Sequence, residues 1–282
     1  MIDWRDLTLL LVECADRPGL VHAITGVLLR HGCNVISNHE FVDREQGQFF
    51  MRTEFTGEIE RDVVEAETRA VLPGGASVRS TTLAPRRVVV LASREHHCLA
   101  EILVRHHFGD LNAILTSVIS NHPDLGSFVA GFGVPFHHLS HEGLSRAEHE
   151  RKLLAVLEPQ RPDYLVLAKY MRLLTPEFVF RFPRRIINIH HSFLPAFVGA
   201  KPYLQAFRRG VKVIGATAHF VTEQLDAGPI IVQEVLPVNH RNSPQDMAQA
   251  GRDVEKLALV RALQLIFAER VCLSGNRTII FD

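Results

Sequence analysis

Cysteine is scarce in this 282-residue sequence: Cys14, Cys33, Cys98 and Cys272 are scattered, and no two form a Cys-x-x-Cys pair. That spacing excludes a zinc ribbon, a thioredoxin-like redox motif and a disulfide-stapled secreted fold, and it reads as buried thiols in a reducing compartment. An excess of one charge is also missing. The 31 basic residues balance 31 acidic ones, so no overall field recruits nucleic acid or a membrane surface. The first apolar run, Leu7–Val12, is far too short for a membrane span or a signal segment. A soluble cytoplasmic protein is expected. What the sequence does hold is histidine, 16 in all, with adjacent pairs at His96-His97, His106-His107, His137-His138 and His190-His191. Neighbours in a strand or helix point apart and do not chelate one ion well, so no metal is expected.

Two domains are expected, 1–84 and 85–282. In the first, Leu7–Cys14 reads as a strand and Asp16-Arg-Pro18-Gly19 as the turn that starts a helix. Leu20, Val21, Ile24, Val27 and Leu28 form one helical stripe, which Gly32 ends. Strands at Asn34–Val42 and Phe49–Phe55, a helix at Glu60–Val71 and a strand at Ser77–Leu83 complete a ferredoxin-like βαββαβ order. Beyond Ala84-Pro-Arg-Arg87, strand-like runs alternate with helical segments, which implies an α/β domain, Rossmann-like, on a mostly parallel sheet. The helical segments include His97–His107, Ser145–Leu157, Pro176–Phe182 and Lys201–Arg209. A long helix follows Ser243-Pro244, with Met247, Val254, Leu257, Val260, Leu263 and Phe267 on one side, and Asn276–Phe281 is a last strand.

The chemistry concentrates in 188–228. Asn188 and His190 stand two apart at the end of one strand and face the same side. Asp226 follows the strand Val213–Val221 in a turn closed by Gly228-Pro229. An amide, an imidazole and a carboxylate converging on one carbonyl supply an oxyanion donor, a proton donor and a base. Each alone has an ordinary explanation in strand-end or turn chemistry; their order and context favour catalysis. His219 reads as a supporting residue or a direct participant, and His191 as structural, facing away from the site.

The pattern Asn-x-His…Leu-Pro…His-x-Val-x-x-x-x-Asp-x-Gly-Pro resembles the formyltransferase family that handles 10-formyltetrahydrofolate. Asp16-Arg-Pro-Gly-Leu-Val followed by His31-Gly-Cys-Asn34 resembles an ACT domain, and the whole chain is similar to the deformylases, the hydrolases of that family. The resemblance implies catalytic Asn188, His190 and Asp226, with Asp226 a base if burial raises its pKa. It implies a folate site at Met171, Arg172, Leu173, Leu174, Val221, Thr222 and Gly228. Ordinary helix-start packing would also account for Met171, Leu173 and Leu174, and Arg172 could instead pair with a carboxylate. For the ACT domain it implies effector loops holding Asp16, Gly19 and Asn34, although a helix cap at Asp16 and Pro18 and close packing at Gly19 would account for these residues equally well, and it implies a homodimer or homotetramer. The expected partners are a folate substrate and an amino-acid effector, with no separate cofactor.

The acceptor follows from a further absence. Relatives acting on a phosphorylated glycinamide carry a glycine-rich turn after the first strand of this domain, where amides and a helix dipole hold phosphate. Here the segment reads Leu91-Ala-Ser93-Arg-Glu95-His-His97, without glycine and with an acid. Water is therefore the expected acceptor, and formate the product. Ser192–Pro202 fits the deformylase pattern, whereas Leu204 stands where a histidine is expected. A formyltransferase with an unphosphorylated amine acceptor and a non-catalytic folate or amino-acid sensor are the alternatives.

Overall fold

The computed structural model describes residues 7–195 and 202–281, and the chain divides into two compact units: Met1–Ala84 with Ala268–Asp282, and Pro85–Phe267. The first unit runs β1 (Thr8–Ala15), α1 (Leu20–Arg30), β2 (Asn34–Asp43), β3 (Gln48–Thr56), α2 (Arg61–Ala70) and β4 (Ser77–Thr82). Its antiparallel sheet has the order β2-β3-β1-β4, the ferredoxin-like arrangement. Leu20, Ile24, Val27 and Leu28 bury the inner face of α1 against Leu10, Val12 and Phe55. Val21, counted in that stripe from the sequence, is exposed because it lies to one side of the buried face. Gly19 caps α1 at φ 89°, a left-handed turn that a β-carbon would strain.

The second unit begins with β5 (Arg86–Ala92), α3 (His97–Phe108), β6 (Ala113–Ser120), a short α4 (Gly126–Ala130) and β7 (Phe136–His138). It continues through α5 (Arg146–Leu157), β8 (Tyr164–Ala168), α6 (Pro176–Arg181) and β9 (Ile186–His190). Then come α7 (Pro202–Arg209), β10 (Val213–Phe220), β11 (Ile230–Pro237) and α8 (Pro244–Phe267). Of the loop before α7, residues 196–200 and Lys201 lie outside the described residues. The start and stop signals are chemical. A capping box joins Ser145 and Glu148 at α5, and the Thr175 hydroxyl caps α6 ahead of Pro176.

The seven strands take the order β11-β10-β9-β8-β5-β6-β7, parallel from β9 through β7 and antiparallel at β9-β10 and β10-β11. β5 to β7 build outward on one side of β5, and β8 returns to the other. The loops after β5 and β8 therefore diverge and leave a crevice at the carboxyl ends of these strands. β11, which the sequence reading passed over, forms the antiparallel edge.

Two expectations at the C-terminus need correction. Leu257 is 57% exposed, because the buried face of α8 is centred on Glu255, Ala258, Leu259 and Ala262, and Leu257 lies about 200° around the helix from Glu255. The last residues do not belong to the second unit. β12 (Val271–Ser274) and β13 (Arg277–Ile280) form a hairpin that goes with the first. Buried Arg52 donates to the carbonyls of Ala268 and Glu269, each at 3.0 Å, and to Glu54 at 2.8 Å. Asp43 accepts from Ser274 at 2.6 Å and from Arg277 at 2.7 Å. Partners far apart in sequence left no local signal of this docking.

Candidate active site

β9 and β10 bring the polar residues together. Their antiparallel register pairs Asn188 with His219, and the Asn188 side-chain amide donates to His219 Nε2 at 3.1 Å. His219 Nδ1 bonds the Phe220 carbonyl at 2.9 Å, which requires the proton on Nδ1 and leaves Nε2 as the acceptor. Burial lowers the pKa of His219 and keeps the ring in this neutral form. Asn188 is thereby fixed with its nitrogen toward His219 and its second N–H available to a ligand.

Asp226 lies in the turn after β10, at φ 54°. Backbone approach makes that turn tight: a β-carbon on Gly228 would run into the Phe220 carbonyl, and the Phe220 amide donates to Pro229 O at 2.9 Å. The turn carries the Asp226 carboxylate to His190, with Nδ1 and Oδ2 3.2 Å apart, while His219 Nε2 lies 3.7 Å from Oδ1. Burial alone would raise the Asp226 pKa, but the hydrogen bond and charge of His190 outweigh it, and the net shift is downward. This overturns the raised pKa expected from the sequence, which took account of burial without the imidazole. His190 is buried, and its Nε2 has no hydrogen-bond partner among the described residues.

Asn188, His190 and Asp226 line one cavity of about 450 Å³. Met171, Arg172, Leu173, Leu174, Val221 and Thr222 line it too. Gly228 is not among the lining residues; its place is under the turn, against Phe220. Arg172 has no carboxylate partner among the described residues, so its guanidinium is open to a ligand. The Met171 amide, by contrast, is taken up by Ser93 Oγ at 3.0 Å. Tyr170 also lines the cavity, with a buried hydroxyl that has no partner among the described residues.

His191 departs from expectation. β9 ends at His190, so strand alternation stops there, and His191 stacks on His190 with ring centroids 5.1 Å apart. Burial, with the nearby charge of Lys169, lowers its pKa to about 4. The loop beyond is tied down by Thr217, whose hydroxyl donates to Ser192 O at 2.9 Å and accepts from the Leu194 amide at 3.1 Å.

A second cavity, of about 1020 Å³, shares Lys169, Met171 and His191 with the first. On its wall is a buried ionic cluster that sequence reading did not find, because its members come from four separate segments. Glu255 Oε2 lies 3.1 Å from Lys169 Nζ and 2.7 Å from His97 Nε2, and Oε1 accepts from Tyr203 at 2.8 Å. Burial would raise the Glu255 pKa, but the His97 hydrogen bond and the Lys169 charge bring it down to about 2. Lys169 itself follows β8 at φ 60°, a left-handed conformation that costs a non-glycine residue about 1–2 kcal/mol. His97, Cys98 and Glu255 offer ligand atoms within 4.8 Å of one another. The Lys169 ammonium already neutralises that carboxylate, and burial holds Cys98 as a thiol, so the donor set does not suit a metal ion. Asp16 follows β1 at one end of the first unit's sheet, bonded to Gly47, with Gly19 just beyond it at the start of α1, and Asn34 begins β2 at the other end, opposite Thr56. One chain does not bring the three together.

A formyl transferase family model matches residues 86–263, and an ACT domain model matches residues 8–73. The formyltetrahydrofolate deformylase of Escherichia coli (strain K12) is 51% identical over 267 residues, which are 95% of this chain and 95% of that protein. The crystal structure of a formyltetrahydrofolate deformylase from Pseudomonas syringae pv. tomato superimposes with a TM-score of 0.94 at 40% identity, covering 98% of this chain and 94% of that one. Glycinamide ribonucleotide transformylase 1 from Symbiobacterium toebii gives a TM-score of 0.68 at 33% identity, covering 74% of this chain and all of that one.

Proposed function

The chain belongs to the formyltetrahydrofolate deformylase family, and on that premise we propose that it hydrolyses 10-formyltetrahydrofolate to tetrahydrofolate and formate through Asn188, His190 and Asp226. The observation that carries the assignment of residues is His190 Nε2, a buried polar atom without a partner among the described residues, in the cavity that Asn188 and Asp226 also line. Such an atom is costly to leave unsatisfied unless a ligand meets it.

The free N–H of Asn188 donates to the formyl oxygen as it gains charge; one such donor contributes about 10²–10³ in rate. Nε2 of His190 takes a proton from the attacking water and passes it to N10 as the carbon–nitrogen bond breaks. Asp226, ionised, holds Nδ1 and stabilises the imidazolium formed in between. The folate packs against Leu173, Leu174 and Val221, with Arg172 available to its carboxylates. The reaction balances one-carbon units and supplies formate for purine synthesis. The ACT domain is the place for an amino-acid effector, and pairing through it would give a homo-oligomer. Four free cysteines fit a cytoplasmic setting.

The test is formate release from 10-formyltetrahydrofolate without any amine, in the parent protein and in Asp226→Asn and His190→Gln. Both variants should retain folate binding and lose about 10²–10⁴ in turnover. Parent-like turnover in His190→Gln would remove Nε2 from the proton path.

A further inference from the structure

We propose that Lys169, held by Glu255, selects the acceptor of the formyl group: the residue lines both the folate pocket and the neighbouring cavity, and its ammonium commits the formyl carbon to water. The inference rests on the hydrolase reading and names the residue that makes it a hydrolase. Among the described residues, Lys169, Met171 and His191 line both cavities, and the larger cavity has room for an acceptor bigger than water. The backbone at Lys169 is one glycine would adopt freely, yet the chain has a buried lysine there, so its side chain and not its backbone accounts for its presence. The ammonium is also held in place. Glu255 binds it at 3.1 Å and is in turn bound by His97 and Tyr203, and Gly251 leaves the room that the Tyr203 hydroxyl fills.

The selection is one of lone pairs. A protonated amine has no lone pair with which to attack. A neutral amine has a single lone pair, and once that pair accepts a hydrogen bond from Lys169 it is no longer a nucleophile. Water has two, so it can accept from Lys169 with one and attack with the other. In the step that follows, the water oxygen bonds to the formyl carbon, the bond from that carbon to N10 breaks, one water proton reaches N10 through His190, and the formic acid released loses its remaining acidic proton to solvent.

2,2,2-Trifluoroethylamine, small, weakly basic and so largely uncharged near neutral pH, with its nitrogen lone pair as its one strong acceptor, is the probe. The parent protein should release formate and tetrahydrofolate in nearly equal amounts whether or not this amine is present. In Lys169→Gly, which suits the backbone, and in Lys169→Gly/Glu255→Gln, which also removes the unpaired buried acid, the ratio of the amine's formamide to formate should rise at least about tenfold over the parent. A merely structural role would lower total turnover without moving that ratio. An unchanged ratio in both folded variants overturns the proposal and leaves the hydrolase reading standing. Loss of all turnover in both, with folate still bound, also overturns it, because Lys169 would then belong to the chemical step. A parent protein that releases no formate, and forms tetrahydrofolate only when the amine is added, sinks the hydrolase reading itself, a result seen before any variant is made.

Discussion

Asn188 has two partners to serve, and the order in which they are engaged sets its usefulness. His219 takes one N–H through a lone pair that exists only because its Nδ1 proton is committed to the Phe220 carbonyl. Replacing His219 with phenylalanine removes that anchor and keeps a ring in the cavity wall. Turnover should fall by about tenfold, with KM for the folate nearly unchanged, because a group used in the transition state has lost orientation and not binding. Asn188→Ala should cost about 10²–10³ in kcat, since the donor itself is gone. Steady-state kinetics on the two variants separate the effects. The residue types and spacings of this site were legible in the sequence because strand periodicity alone puts Asn188 and His190 on one side. Protonation was not: the lowered pKa of Asp226 depends on His190, brought to it by the turn after β10, and the tautomer of His219 on the direction in which the Phe220 carbonyl points.

Among the elements, α8 shows where reading by hydrophobic pattern breaks down. Its stripe was found, but its buried centre includes Glu255, a residue any hydropathy pattern places on the outside. An acid buried this well, with lysine, histidine and tyrosine about it, destabilises strongly when only one side of the cluster is removed. Glu255→Ala should lower unfolding free energy by about 3–5 kcal/mol in urea titration. Gly251→Ala tests the same face by volume. The new methyl group meets the Tyr203 hydroxyl, and overpacking of this kind costs about 1–3 kcal/mol unless α7 shifts. The helix starts, in contrast, could be read from Ser145-x-x-Glu148 and Thr175-Pro176, because a cap is local chemistry.

Across the whole molecule, burial of neutral imidazoles ties stability to pH. His191 and His219 have lowered pKa values in the fold, so on unfolding each takes up a proton as pH drops below its ordinary value of 6.5. The unfolded chain then binds more protons than the folded one, and stability falls with pH over that range. For His191 the loss runs from about 6.5 down to about 4. Glu255 adds a second loss from its ordinary 4.5 down to about 2, because its carboxylate must be protonated before the cluster comes apart. Denaturation midpoints at successive pH values should trace both, and a curve flat between pH 6.5 and 4 would contradict the histidine part. The two-domain plan was readable from the switch in strand spacing at Ala84, but the allegiance of the last residues was not. That allegiance has a consequence for how the protein is made. Synthesis runs from the N-terminus, so the four-stranded sheet leaves the ribosome first, carrying Arg52 and Asp43 whose partners at 268–277 emerge last. The second unit can close while the first still waits, and the part of the molecule that is begun earliest is the part that is finished last.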